Sequence, residues 1–249
     1  MNGTGRVGAL AFASYLDAIG EDVDRLGQAS EAGLGAAVQS CPGWSVAELL
    51  GHVTTVYERW SAQLAAGDPS RSAVAAPLDA APGTRDHLDD AAAALLRQLA
   101  ELGPDAACWN FSGTDLVSGW VARRVALETA VHRVDAERAY GPSTPIETEL
   151  AVDGIAERIE VLLPLVVARA PEVSLGGSTC LVCSDADASF VVDVSAGRVR
   201  SRRGRGPADT VLIGTASEIF LFSWGRLGPD VLAVTGRQDV ARAWASLPG

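Results

Sequence analysis

The sequence predicts an α+β protein, a helical bundle followed by a smaller α+β domain. Two observations carry the prediction. Up to "VVARA", which ends at residue 170, apolar residues recur every three or four positions, the spacing of helices that bury one face. After "PEVSLGGS" the period changes, and short runs rich in Val and Ile, bounded by Gly, Ser and Asp, read as strands. The change sets the expected domain boundary between 1–171 and 172–249.

The first helix is predicted over 9–29, where Leu10, Phe12, Leu16, Ile19, Val23 and Leu26 form one stripe. "QSCPGW" breaks it. The second helix opens on Ser45 with Glu48 three residues on, a capping box that satisfies exposed N–H groups of the first turn. Its stripe runs from Val46 and Leu49 through Leu50, Val53, Val56, Tyr57 and Trp60 to Leu64. Residues 67–84, rich in Pro, Gly, Ser and Ala, are expected to be a connection. A third helix is expected over Arg85–Leu102, and a fourth over "GWVARRVALETAVHRVDAERAYG" (119–141), closed by Gly141 with Pro142 behind it. A fifth runs from Glu147 to Arg169 and is expected to bend at Pro164. Strands follow in "TCLVCSD", in "SFVVDVSAGRVRSRRG" with a hairpin turn at Ser195-Ala196-Gly197, in "DTVLIGT" and in "VLAVTG". Helices in "ASEIFLFSWGRL" and "RQDVARAWASL" complete the domain.

A chain of 249 residues suits one large or two modest domains. Its 48% hydrophobic and 20% charged residues suit a packed interior. The net charge of −11 and pI near 4.7 argue against a nucleic-acid partner and against docking on an anionic membrane, since both attract cations. All twenty basic residues are arginine, which removes lysine Schiff-base chemistry and a phosphate-loop lysine. The N-terminus lacks the basic and apolar regions of a secretory leader. No apolar run reaches the roughly 18 residues of a membrane span. A cytoplasmic setting is therefore expected, with Cys41, Cys108, Cys180 and Cys183 reduced.

The chain has three histidines. His132 follows Glu128 by four, so in a helix the two share a face one turn apart. A carboxylate and an imidazole so placed can hold one divalent metal, as in helical-bundle metal sites. The same spacing also suits a solvent-exposed pair contributing about 0.2–0.5 kcal/mol. His52 is the candidate third ligand, because it sits among Leu49, Val53 and Val56 on a core-facing stripe where a buried ring needs partners. A satisfied core histidine is the alternative. Two His and one Glu would leave a fourth position open, the pattern of catalytic rather than structural zinc. A thiol bound there loses its proton and becomes a nucleophile at neutral pH. His87, among charges in "TRDHLDDA", reads as a solvated helix start.

Cys180 and Cys183 form a C-x-x-C without a second pair, and in a strand they point to opposite faces. Cys41 reads as a small buried hydrophobe. No nucleophile elbow or phosphate loop occurs, and no G-x-G-x-x-G follows a predicted strand as a dinucleotide fingerprint must. Arg123, Arg124, Arg133 and Arg138 in the fourth helix are expected to face water or pair with acids. Arg226, in "LFSWGRLG", can grip a carboxylate with two parallel N–H groups or can cap the helix before it.

Three segments in order, "CPGWSVAELLGHV", "GWVARRVALETAVHRVDAERAYG" and "DTVLIGTASEIFLFSWGRL", resemble the mycothiol-dependent maleylpyruvate isomerase family over most of the chain. The resemblance implies an N-terminal DinB-like four-helix bundle that binds a divalent metal, zinc, followed by a small sterol-carrier-like α+β domain. It implies His52, Glu128 and His132 as the metal ligands and Arg226 as a catalytic residue. The implied activity is cis–trans isomerisation of an acidic, electrophilic small molecule, or thiol transfer to one, with mycothiol as the thiol cosubstrate. A metal-dependent hydrolase and a non-catalytic carrier of an apolar ligand are the other classes these residues allow.

Overall fold

The computed structural model describes residues 10–73, 81–244 and 247. Residues 1–9, where no leader is expected, 74–80 of the expected connection and 245–246 of the expected terminal helix lie outside the described residues. The chain divides into two compact units, Ala11–Thr144 and a second from Pro145 onward.

Among the described residues the first unit has four helices: α1 (Phe12–Ser30), α2 (Val46–Ala66), α3 (Arg85–Leu102) and α4 (Ser118–Arg138). α1 packs on α3 and α4, and α2 packs on the same two, so the four close into a bundle. Ile19, Leu26, Leu49, Leu50, Leu88, Leu95 and Val125 fill its centre without any exposure. The predicted start of α2 is in place, with the Ser45 backbone N–H donating to Glu48 at 2.9 Å. α3 begins on Thr84, whose hydroxyl oxygen accepts the His87 N–H at 3.4 Å. Between α1 and α2 the chain makes a tight turn through Cys41-Pro42-Gly43-Trp44. Val38 and Trp44 bond across it, N–H to carbonyl, at 2.9 Å, and Gly43 takes φ +88°, a conformation that favours glycine.

α4 differs from expectation in its arginines. Arg123, Arg124 and Arg133 are buried, and only Arg138 is exposed. A buried guanidinium must find acceptors for its five N–H groups. Arg133 does so by donating to Asp22 at 2.9 Å, Glu137 at 3.0 Å and the Thr144 carbonyl at 2.5 Å. A second polar clasp joins α2 to α4, with Tyr57 and Thr129 hydroxyls 2.6 Å apart in the core.

The second unit contains α5 (Thr148–Glu157), a π-helical turn (Arg158–Leu162), α6 (Leu163–Arg169), β1 (Thr179–Cys183), β2 (Ser189–Ser195), β3 (Arg198–Arg203) and β4 (Thr210–Gly214). α7 (Ala216–Ser223), β5 (Ala233–Gly236) and α8 (Gln238–Trp244) follow. The described strands form one sheet in the order β3-β2-β1-β4-β5, with β1 and β4 parallel and the remaining pairs antiparallel. The predicted hairpin between β2 and β3 turns on Ala196 (φ +51°) and Gly197 (φ +69°), both left-handed as a two-residue type I′ turn requires. β1 is central and every residue in it is buried. Cys180 and Cys183 thus both lie in the interior although their side chains alternate.

The expected domain boundary at 171/172 is not where the units part. α5 packs on α7 and α6 on β3, so the fifth helical segment belongs with the sheet. Gly154 permits the first of these contacts, since a Cβ there would lie 2.5 Å from the Phe220 ring. Helical periodicity shows that a face is apolar but not which element covers it. The expected bend at Pro164 takes the form of the π-helical turn just before it. Proline lacks the N–H for the regular bond to residue 160 and crowds that carbonyl, and a wider turn relieves both. No helix among the described residues is long and apolar enough to cross a membrane.

Candidate metal centre

α4 carries Trp120, Arg124, Glu128 and His132 at four-residue steps, so they line one face, with Asp135 three further on. α2 brings His52 to that face. His52 Nε2 lies 3.6 Å from Glu128 Oε1. The two imidazole centroids are 5.0 Å apart, nearly edge to face. One donor atom from each of His52, Glu128 and His132 lies within 4.8 Å of the others. The side chains are 12%, 24% and 10% exposed in that order, so the cluster is shielded yet open to a small ligand.

Charge at the cluster is negative but held. Burial by itself raises the Glu128 carboxyl pKa. The His52 hydrogen bond and the nearby Arg124 and His132 outweigh that and hold it at about 2. Arg124 Nε stands 3.5 Å from Glu128 Oε2, one turn back along α4. Glu128 is therefore a carboxylate at any physiological pH, engaged across helices rather than in a solvent-exposed pair with His132. His52 is not a satisfied core histidine either. Its Nδ1 is buried and has no hydrogen-bond partner among the described residues. Buried polar atoms are nearly always partnered. Two imidazoles, one carboxylate and an orphaned ring nitrogen fit a borderline-soft divalent cation such as zinc.

Around these three lie residues that the sequence pattern did not single out. Asp135 Oδ2 is 3.1 Å from His132 Nδ1. The Ser40 hydroxyl donates to Asp135 Oδ1 at 2.6 Å, and the Cys41 thiol approaches Oδ2 at 3.9 Å. Cys41, expected as a small buried hydrophobe, is half-buried beside this carboxylate, where the turn that carries it meets α4. The Trp44 ring centroid is 4.9 Å from that of His52 and covers one side. Asp135 had a readable signal, a carboxylate one turn after His132. Ser40, Cys41 and Trp44 had none beyond the Cys-Pro-Gly-Trp turn itself. His87 is exposed at the start of α3.

Arg226 belongs to the second unit. It follows the α7 terminus, where Gly225 (φ +68°) donates to the Phe222 carbonyl and Arg226 N–H to the Leu221 carbonyl, each at 2.9 Å. This paired pattern closes a helix on a left-handed glycine. The half-buried Arg226 side chain donates to the Trp224 carbonyl at 3.0 Å. Arg158, at the start of the π-helical turn, braces the same segment. Its guanidinium stacks 4.8 Å from the Trp224 ring and donates to the Ser223 carbonyl at 3.2 Å.

Residues 16–137 match the family described as the mycothiol maleylpyruvate isomerase N-terminal domain. A crystal structure of the mycothiol-dependent maleylpyruvate isomerase superposes with a TM-score of 0.63 at 14% identity, covering 91% of this chain and 93% of that one. A histidine-to-alanine mutant of a protein so described gives 0.61 at the same identity and coverage. At that identity the two structures speak for the fold alone, a helical region followed by a small mixed-sheet domain. No curated protein matches the chain. The helical unit that holds the His–Glu–His cluster thus carries, over residues 16–137, a match to the mycothiol maleylpyruvate isomerase N-terminal domain family.

Proposed function

We propose that this chain is a metal-dependent, mycothiol-dependent enzyme in which a thiolate adds to an electrophilic, acidic small molecule. The observation that carries the reading is the meeting of His52, Glu128 and His132, from two helices, within 4.8 Å. The family supplies the thiol, since the similar solved structures are described as mycothiol-dependent isomerases. A zinc ion held by the three side chains would keep an open position and lower the pKa of a thiol bound there.

This chain's own residues do the rest. Glu128 contributes a full negative charge, kept ionised by His52 and Arg124. Trp44 and the burial of the cluster thin out water near the reacting sulfur, and electrostatic attraction strengthens as the local dielectric falls. Addition of the thiolate to one end of a conjugated double bond leaves a single bond, with the electron pair moving onto the substrate oxygen. Rotation and return of that pair expel the thiolate and restore the double bond in the other geometry. Where the adduct is instead protonated and released, the outcome is thiol transfer. Arg226 is assigned the substrate carboxylate or the oxygen on which charge develops. The second unit is assigned as the sterol-carrier-like partner domain, and a reducing cytoplasm as the setting.

The test combines elemental analysis with turnover. The purified protein should hold one zinc per chain and should convert a maleylpyruvate-type substrate only when mycothiol is added. His132→Ala should lose the metal and the activity together. Turnover without thiol would indicate a hydrolase, and neither metal nor turnover would leave a binding protein. Arg226→Ala should keep its zinc and lose roughly 10²–10³-fold in kcat, the effect of deleting one charge-stabilising donor. Unchanged kinetics would reduce Arg226 to a helix cap.

A further inference from the structure

The Asp135 carboxylate is fully buried, with no exposure of its side chain, and buried carboxylates persist only where donors face them. Here His132 Nδ1 lies 3.1 Å from Oδ2, the Ser40 hydroxyl donates to Oδ1 at 2.6 Å, and the Cys41 thiol approaches Oδ2 at 3.9 Å. A neutral imidazole carries its proton on one nitrogen only. With the proton on Nδ1, an N–H faces a carboxylate oxygen. With the proton on Nε2, a nitrogen lone pair would face that oxygen at the same short distance, which is repulsive. The surroundings of Asp135 therefore select one tautomer and leave the lone pair on Nε2.

We propose that Asp135 is a positioning residue that fixes the tautomer and ring orientation of His132, so that Nε2 is the nitrogen offered to the metal. This rests on the metal site proposed above. The same carboxylate holds Ser40, in the turn that leads through Trp44 into α2, and α2 carries His52. Outer partners of this kind typically matter 10–100-fold to metal affinity.

An alternative has to be met, because Cys41, His132 and Asp135 also bring three donor atoms within 4.8 Å. That set takes Asp135 as a ligand, so its carboxylate would face the cation, whereas the proposal keeps Oδ2 as the acceptor of an N–H on His132 Nδ1, 3.1 Å away. The two readings predict different tautomers and different effects of Cys41.

The first measurement needs no substitution. Nitrogen-15 NMR of the metal-free protein at about pH 8, above the ordinary histidine pKa, should show His132 protonated on Nδ1. Protonation on Nε2 overturns the proposal. Asp135→Asn should then shift the ring toward the other tautomer and weaken zinc binding 10–100-fold in competition with a chromophoric chelator, with the circular dichroism spectrum retained. Ser40→Ala removes the Oδ1 donor only, and should keep the tautomer and bind zinc within about threefold of the parent. Affinity and tautomer unchanged in Asp135→Asn would sink the proposal, as would Cys41→Ser losing as much zinc affinity as Asp135→Asn, which would make both of them ligands. Failure of the parent protein to bind zinc would count against the proposed function and leave the tautomer assignment standing.

Discussion

Each thiol in this chain is governed by its own few ångströms. Cys108 is buried, and burial pushes its thiol up to about 11; Cys183, buried beside Asp185, stands at about 11 for the same leading reason. The thiolate is the reactive form, so a thiol with that pKa is ionised only roughly one part in a thousand at pH 8. Cys180 is buried as well, and Cys41 is half-buried at the edge of the metal cluster. Native protein at pH 8 should therefore release about one equivalent of chromophore with a disulfide reagent, and four after denaturation. Cys41→Ser should abolish the native equivalent. Two or more fast equivalents in the native state would contradict the burial described. The residue scale also shows what spacing conveys. Glu128 and His132 announce themselves by a four-residue interval, whereas Asp135, three further on, was not singled out. Cys41 and Ser40 are brought in by a turn whose docking has no period.

Among the elements, α4 holds the bundle together by satisfying its own buried charges. Arg133 supplies Asp22 on α1, Glu137 on its own helix and the Thr144 carbonyl beyond it. Burial raises the Asp22 carboxyl even with Arg133 beside it, so the pair is held against a cost. Arg133→Ala should lower stability by about 3–5 kcal/mol in a denaturant titration, because it strands a buried carboxylate. Asp22→Asn, which leaves a neutral partner, should cost less. An equal or smaller loss for Arg133→Ala would mean that water reaches the site. α2 and α3 were legible to the residue, since capping groups and an apolar stripe are local properties. The arginines of α4 were not, because the burial of a polar residue is decided by whatever packs over it. The fifth helical segment was legible as a helix and a bend, but its allegiance was not. Its partner α7 lies some sixty residues later, and the contact depends on Gly154 making room for Phe220.

At the scale of the whole molecule, a ligand that binds only the folded chain raises its stability by mass action. At free zinc about 100 times its dissociation constant the gain is about 2.7 kcal/mol. For a chain of this size that corresponds to roughly 5–10 °C in Tm. Zinc added to the chelator-stripped protein should raise the midpoint by that amount, and His132→Ala should remove the rise. A midpoint indifferent to both zinc and chelator would speak against a cluster that spans α2 and α4. The sequence by itself determined the α+β class, most element boundaries, the capping of α2 and the place of the hairpin turn. Those follow from short-range rules, in which a period, a cap or a turn residue acts on neighbours a few positions away. Only the tertiary structure decided that His52 meets Glu128 and His132, that Asp135 stands behind His132, and that α5 and α6 side with the sheet. Proximity between distant segments comes from which apolar faces cover one another, and a linear pattern records that each face exists but not its mate.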